Sequence, residues 1–334
     1  MKKNVLLTGG SGYIGSWFVE KYSKNYNIKI LDTVFFNNHL SKKNIQKFIK
    51  KDIRKINLED LADVDIVVHM AELSNDPLGE INKDLTFEIN VLGTKRLIEL
   101  AKKAQIKKFI YMSSCSVYGD SGDTVANEEI KTNPLTEYAK AKYANEQFLL
   151  NNDFDFEIKI LRNATAFGYS PNTRTDLVIN DLSVDALNKK QINVLSDGTP
   201  RRPFVHIGDI CRFINFLMCE DNKKKLLVNV GSDKLNHTVK EVAEIISRLT
   251  DVPNVSFGKS NSDARSYFVD FRKLSKLYPE FKFIYTVEEG VKEIQKNIEL
   301  INKNFFNSKR IKKINYLLDE KLIDDSLFWN INKK

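Results

Sequence analysis

Cysteine, histidine and long apolar runs are all scarce in this 334-residue chain, and each scarcity removes a class of protein. Cys115, Cys211 and Cys219 form an odd, widely spaced set, which argues against a disulfide framework and for reduced thiols in a cytoplasmic protein. His39, His69, His206 and His237 lie far apart without ligand spacing, so no metal site is expected. The apolar run behind Met1-Lys2-Lys3 stops at Thr8, too short for a secretion signal, and no run approaches the ~20 residues that span a membrane. No internal repeat or Pro/Gly/Ser-rich linker divides the chain. The formal charge of +8 comes from lysines scattered among asparagines, with one cluster at Lys309-Arg310 and Lys312-Lys313. That pattern is compositional drift rather than a nucleic-acid surface, and it also suits an anionic substrate. No nucleic-acid or membrane partner is therefore expected.

What the chain does have begins at its N-terminus. Val5-Leu6-Leu7 reads as a short buried strand, and Thr8-Gly9-Gly10-Ser11-Gly12-Tyr13-Ile14-Gly15 reads as a tight turn into an amphipathic helix over 14–22. Gly12 removes a side chain that would hold a pyrophosphate away from the main chain, and Gly15 lets the helix pack closely on the sheet. The phosphates would rest on the N–H groups and the positive dipole end of that helix. A second strand, Ile28-Lys29-Ile30-Leu31, ends in Asp32, placed to accept hydrogen bonds from both adenosine ribose hydroxyls. Strand, turn, helix and acid together predict dinucleotide binding. The following Thr33-Val34-Phe35-Phe36 offers no cation for a 2′-phosphate, and Lys42 and Lys43 are the only cations nearby in sequence, which favours NAD over NADP.

Strand and helix continue to alternate. Strands are expected at 45–50, 65–70, 108–112 and 158–161, a loop at 75–79, and a long helical face carrying Phe87, Val91, Leu92, Leu97, Ile98 and Ala101. Alternation of this kind predicts an α/β fold of Rossmann type, a doubly wound parallel sheet with ligands at the carboxyl ends of its strands. Beyond Asn163 helical faces appear at 177–187, 207–218, 239–249 and 287–301, joined by short strands that include 281–285. A smaller mixed α/β domain is expected there. The expected division is a dinucleotide-binding domain at 1–162, with 207–230 returning to it, a substrate domain from 163–206 and 231–305, and a helical tail at 306–334. Ile311, Ile314, Leu317, Leu318, Leu322, Ile323, Leu327, Phe328 and Trp329 give the tail an apolar face that covers either the chain's own surface or a second subunit.

Tyr138 and Lys142 stand one helical turn apart on one face. An ionised phenol takes a proton from an alcohol while hydride leaves the carbon, but free tyrosine titrates near ~10, so something must stabilise its anion. A nearby ammonium and a cationic nicotinamide both act in that direction. Tyr278 and Lys282 repeat the spacing, but Pro279 between them prevents a shared helical face. Ser114 follows a predicted strand at the edge where the cofactor lies, and its hydroxyl is placed to orient the substrate oxygen.

These residues resemble the extended short-chain dehydrogenase/reductase family of sugar-nucleotide epimerases and dehydratases. The resemblance is carried by Thr8-Gly9-x-x-Gly12-x-x-Gly15, Asp52-Ile53, Ser113-Ser114-Cys115-Ser116-Val117-Tyr118-Gly119 and Tyr138-x-x-x-Lys142, and it runs over about 3–300 through Asn90, Leu161-Arg162-Asn163, Arg202-Pro203-Phe204-Val205-His206 and Arg265. It implies that Ser114, Tyr138 and Lys142 are catalytic. It further implies that Gly9, Gly12, Tyr13, Ile14, Gly15, Asp32, Asp52, Ile53, Ala71, Asn90 and Ser113, with Tyr138 and Lys142, form the NAD site, Asn90 holding the active-site helix. Ser114, Asn163, Asn180, Arg202 and Arg265 would hold a nucleotide-diphosphate sugar, and a homodimer is implied. Arg174 and Asp176 read equally as a solvated pair, Asp176 as a helix cap.

Two departures from the family pattern bear on function. The 4,6-dehydratases place an Asp-Glu pair where this chain has Cys115 and Ser116, so elimination of water is not expected. Pro203 stands where an aspartate is usual, beside Arg202. The stretches 71–79 and 163–171 resemble a branch that includes sugar-nucleotide C4 dehydrogenases of bacterial surface-polysaccharide pathways. The expected function is NAD-dependent oxidation at C4 of a nucleotide-diphosphate sugar, as 4-epimerase or 4-dehydrogenase. A 4-keto-sugar-nucleotide reductase is the alternative enzyme, and an NAD(H)-sensing binding protein the alternative outside enzymes.

Overall fold

The computed structural model describes residues 2–40, 45–122, 124–220, 224–259 and 266–330. The strands of its first half are β1 (Asn4–Thr8), β2 (Asn27–Asp32), β3 (Lys47–Lys50), β4 (Ile66–His69), β5 (Lys108–Ser114) and β6 (Glu157–Asn163). Later come β7 (Thr165–Phe167), β8 (Ile192–Val194), β9 (Arg201–His206), β10 (Lys225–Val230), β11 (Asn236–Thr238) and β12 (Val255–Phe257). Seven of them make one sheet in the order β10-β6-β5-β4-β1-β2-β3, and every pairing in it is parallel. Val5, Leu6 and Leu7 of β1 are fully buried, as a strand covered on both faces requires. The chain runs outward from β1 to β3 and then returns to β4 on the other side of β1. That reversal opens a crevice at the carboxyl ends of β1 and β4, where open α/β sheets bind ligands.

Two apolar layers cover the sheet. One gathers Trp17 and Phe18 of the helix Tyr13–Tyr22 with Ile210, Phe213 and Leu217 of the helix Ile207–Cys219. The other gathers Leu97 and Ile98 with Ile314, Leu317, Ile323 and Leu327 of the tail. The tail thus covers its own chain. Each fully buried Leu or Ile contributes about 1.5–3 kcal/mol, which is enough to dock a short helix without a second subunit. A third core lies under the small sheets β11-β9-β7 and β12-β8, between the helices Val178–Lys189 and Val239–Thr250.

Four local expectations come out differently. Residues 75–79 are a capped helical turn, with the Asn75 side chain accepting from Leu78 N at 3.1 Å and Pro77 inside the first turn. The helical face from Phe87 is out of register, because Phe87–Leu92 is a π-helical turn that leaves Phe87 and Leu92 exposed and buries Ile89, Asn90 and Val91. Residues 281–285 are not a strand. Asp209 accepts from the Ile284 and Tyr285 N–H groups at 3.0 and 3.1 Å, taking donors that a ladder would use. The helix expected over 287–301 breaks at Asn297 into Val287–Lys296 and Ile298–Lys303.

Candidate active site

The carboxyl ends of the central strands surround one cleft of about 390 Å³. β1 delivers the glycine turn. Gly9 has φ +70°, and a Cβ there would stand 2.8 Å from Ala71 N, so the turn and the end of β4 can approach only without a side chain. A Cβ on Gly15 would meet Gly10 O at 2.5 Å, which is the close helix packing expected there. Gly12 caps the helix Tyr13–Tyr22 without a side chain, leaving its first N–H groups open. The Asp32 carboxylate at the end of β2 accepts from Ser11 N at 3.1 Å and Val34 N at 2.8 Å, fixing it beside the turn. A loop from the second half clamps the same turn. Asn172 donates to Ser11 O at 2.8 Å, Ser170 to Tyr13 O at 2.7 Å, and Tyr13 OH to Gly168 O at 2.6 Å.

The helix Glu137–Asn151 carries the other half of the site. Arg162 of β6 holds it to the sheet through a buried two-pronged pair with Glu146, at 3.0 and 2.6 Å. That pair sets Tyr138 and Lys142 facing the cleft. Ser114 at the end of β5 lines the cleft with Tyr138 and favours ionisation of its phenol, and the Lys142 ammonium lies 5.5 Å from the Tyr138 ring centre. The three proposed catalytic side chains are therefore brought together.

The electrostatics differ from the sequence expectation. Lys142 donates to Met112 O and is ion-paired with Glu72, whose side chain is 1 % exposed. Tyr111 donates to the other Glu72 oxygen at 2.9 Å. Burial raises Glu72 above the ordinary carboxylate range, against the pull of Lys142, Tyr111 and Asn145. Burial, followed by the charges of Glu72 and Asp76, pushes the Tyr138 phenol up rather than down, opposed by Arg174 and the Ser114 side chain. The protein alone does not supply the stabilised phenolate, because burial and the neighbouring carboxylates outweigh the groups that favour the anion.

Gly9, Gly12, Tyr13, Ile14, Gly15, Asp32, Asp52, Ile53, Ala71, Ser113, Ser114, Tyr138, Lys142, Asn163 and Arg202 all line the cleft. Asn163 donates to Ser113 O and Leu161 O, while its Oδ1 is buried without a partner among the described residues, an acceptor open to a ligand. Asp52 grips Arg54 through both oxygens at 2.9 Å. Pro203 sits in β9 opposite Asn236 of β11 without turning Arg202 from the cleft. Two expected site residues do not reach it. Asn180 is fully buried, accepting from Gly168 N and donating to Tyr13 OH and Arg174 O. Asn90 is fully buried too, exchanging hydrogen bonds with both backbone groups of Leu73, and its carbonyl accepts from Asn145 on the Tyr138 helix. Both position the walls instead. Arg265, Lys42 and Lys43 lie outside the described residues.

Sequence reasoning missed Glu72 and Arg310 in the cleft and left Arg174 and Asp176 undecided. Glu72 stands three residues past the end of β4 and carries no motif. Arg174 and Asp176 are paired, at 2.9 and 3.0 Å, but Arg174 is buried, donates to Ser74 as well, and lines the cleft with Asp176. Asp176 caps nothing, since Leu177 is the N-cap of the following helix. Arg310 comes from the tail, and with it a cation approaches Asp32 that no local reading of the second strand could show. Among the described residues no cluster of metal ligands occurs, and no helix is long and apolar enough to cross a membrane.

Known proteins resemble this chain in sequence and in fold. The family model described as "NAD dependent epimerase/dehydratase family" matches residues 5–231. The Bacillus cereus UDP-glucuronic acid 4-epimerase, solved in complex with UDP-glucuronic acid and NAD, is 25 % identical with a TM-score of 0.78, over 89 % of this chain and 99 % of that one. MoeE5, solved with the same two ligands, is 27 % identical at a TM-score of 0.78, over 90 % and 99 %. The dTDP-D-glucose 4,6-dehydratase of Mus musculus is 27 % identical over 335 residues, spanning 93 % of this chain and 92 % of that one.

Proposed function

The chain belongs to the NAD-dependent epimerase/dehydratase family, and within it we propose oxidation at C4 of a nucleotide-diphosphate sugar, as a 4-epimerase or a net 4-dehydrogenase. The observation that carries this reading is Ser114 and Tyr138, with Lys142 one turn along, lining the same cleft as the glycine turn. The open helix N-terminus, the Asp32 carboxylate and the unpartnered Asn163 Oδ1 fit a dinucleotide with a polar ligand beyond it. Gly9, Gly12, Tyr13, Ile14, Gly15, Asp32, Ile53, Ala71 and Ser113 would hold NAD, which supplies the hydride acceptor. Ser114 orients the substrate hydroxyl, Tyr138 takes its proton, and Lys142 sets the charge beside the phenol. Asn163 and Arg202 receive the diphosphate end of the substrate.

Elimination of water is not part of this reading. Cys115 is turned into the core, its thiol donating to Arg162 O at 3.2 Å and pushed well up by burial. Ser116 faces the cleft with a neutral hydroxyl. The raised phenol favours a second reading, a 4-keto reductase, because a protonated Tyr138 is the form that donates to a ketone oxygen. A cytoplasmic homodimer, with the exposed Phe87 and Leu92 at its contact, and a place in surface-polysaccharide synthesis complete the proposal. Incubation with NAD and a panel of UDP-, GDP-, CDP- and dTDP-sugars, read by mass spectrometry, tests it. An epimer, or a product lacking two hydrogens, is expected. A product lacking water contradicts the exclusion of dehydration, and turnover only of keto sugars with a reduced cofactor selects the reductase.

A further inference from the structure

Arg310 opens the tail helix Arg310–Asp319, beyond the residues matched by the family model, and is 2 % exposed. Its guanidinium has five N–H donors. Among the described residues they find only Asn307 O and Asn172 O, each at 3.5 Å, while the guanidinium carbon lies 4.1 Å from the centre of the Phe36 ring. No carboxylate among the described residues pairs with it. Arg162 and Arg174 show what this fold otherwise does with a buried guanidinium, since each is met two-pronged by Glu146 or Asp176. A buried charge without a partner is unfavourable unless an anion arrives to meet it. Burial and the nearby Arg174 push its pKa down to about 9, and the more distant Asp176 and Asp32 only partly oppose them.

The position of Arg310 identifies the anion. It lines the same cleft as the glycine turn. Asn172, whose carbonyl it faces, donates its own side chain to Ser11 O within that turn. The uncapped N-terminus of the helix Tyr13–Tyr22 opens on the same end. A guanidinium fork and a row of backbone N–H groups facing one space are a receptor for phosphate oxygens. We propose that Arg310 binds the diphosphate of the dinucleotide, so that the C-terminal tail is part of the cofactor site. This rests on the reading that a dinucleotide occupies the cleft. Docking of the tail and binding of cofactor are then linked, each favouring the other.

Titration calorimetry of the full chain and of Arg310→Met and Arg310→Lys, with NAD, adenosine and UDP as separate probes, tests the assignment beside thermal melts without ligand. Arg310→Met should bind NAD about ten- to a hundredfold more weakly, the range for a lost charge-assisted hydrogen-bond pair. Arg310→Lys should fall between the two. Adenosine, which has no phosphate, and UDP should bind all three proteins alike, and the ligand-free melting temperature of Arg310→Met should be unchanged or higher. Unaltered NAD affinity in Arg310→Met overturns the proposal alone. So does loss of UDP rather than NAD binding, or a lower ligand-free melting temperature with adenosine binding lost too, which marks a structural residue. Wild-type protein that takes up no NAD contradicts the dinucleotide reading itself, and the proposal with it.

Discussion

At the Tyr138 end of the cleft the buried cation, Lys142, lies against the Glu72 carboxylate, whereas at the glycine-turn end the buried cation, Arg310, has two carbonyls at 3.5 Å and no ion-paired carboxylate among the described residues. The first end is electrically complete without ligand. The second holds a charge that an anion must complete. Binding and proton transfer therefore depend on separate groups, and each should be breakable with the other left in place.

The largest separation is expected from Tyr138→Phe. Losing a positioned acid/base should lower turnover by roughly 10²–10⁴, with NAD affinity within about twofold of wild type. Near-wild-type turnover would remove Tyr138 from the chemistry. Asp32→Ala breaks the opposite end. Two like charges ~4 Å apart repel by about 4 kcal/mol at an effective dielectric of 20, so removing the carboxylate should narrow the preference for NAD over NADP by up to about a thousandfold. Turnover at saturating NAD should change little. Wild-type protein that binds NADP as tightly as NAD in the same titration contradicts the role given to Asp32 and favours the reductase.

Glu72→Gln sharpens the comparison. While ionised, Glu72 opposes loss of the Tyr138 proton, so it holds the acidic limb of the kcat/KM profile at higher pH. Its amide should move that limb to lower pH by about one unit, with NAD affinity retained. An unmoved limb means that Glu72 does not reach the phenol electrostatically. The smallest effect is expected from Trp329→Phe, which removes the 2.6 Å hydrogen bond from Nε1 to Thr33 O beneath the tail and leaves a smaller aromatic ring beside Phe35 and Lys50. A loss of about 1 kcal/mol should lower the melting temperature by roughly 2 °C. A fall several times larger would show that this single bond holds the whole tail.

The same comparison explains what was legible in the sequence. The glycine turn, Asp32 and the Tyr138/Lys142 spacing are local patterns, and a strand or helix of known period places their side chains without knowledge of the rest of the chain. The parallel sheet follows from the alternation of such elements. Arg310 could not be read this way, because its meeting with Phe36 depends on how a distant tail docks. Glu72 was invisible for another reason. Nothing local says that a carboxylate just past β4 will find Lys142 rather than water. Asn180 and Asn90 lie close to the site, but their amides are used on backbone and side chains of the walls, a distinction that only the packed structure makes. The strand expected over 281–285 failed because Asp209 captures two of its donors, a long-range contact that outweighs local propensity.

The central claim is hydride removal from C4 under the control of Tyr138. A nucleotide-diphosphate sugar carrying deuterium at C4, incubated with NAD and the enzyme and followed by NMR, tests it most directly. Deuterium should leave C4 and appear on the reduced nicotinamide, or return to C4 of the inverted sugar, with both outcomes lost in Tyr138→Phe. Product that forms with deuterium still at C4 in its original configuration would contradict the account.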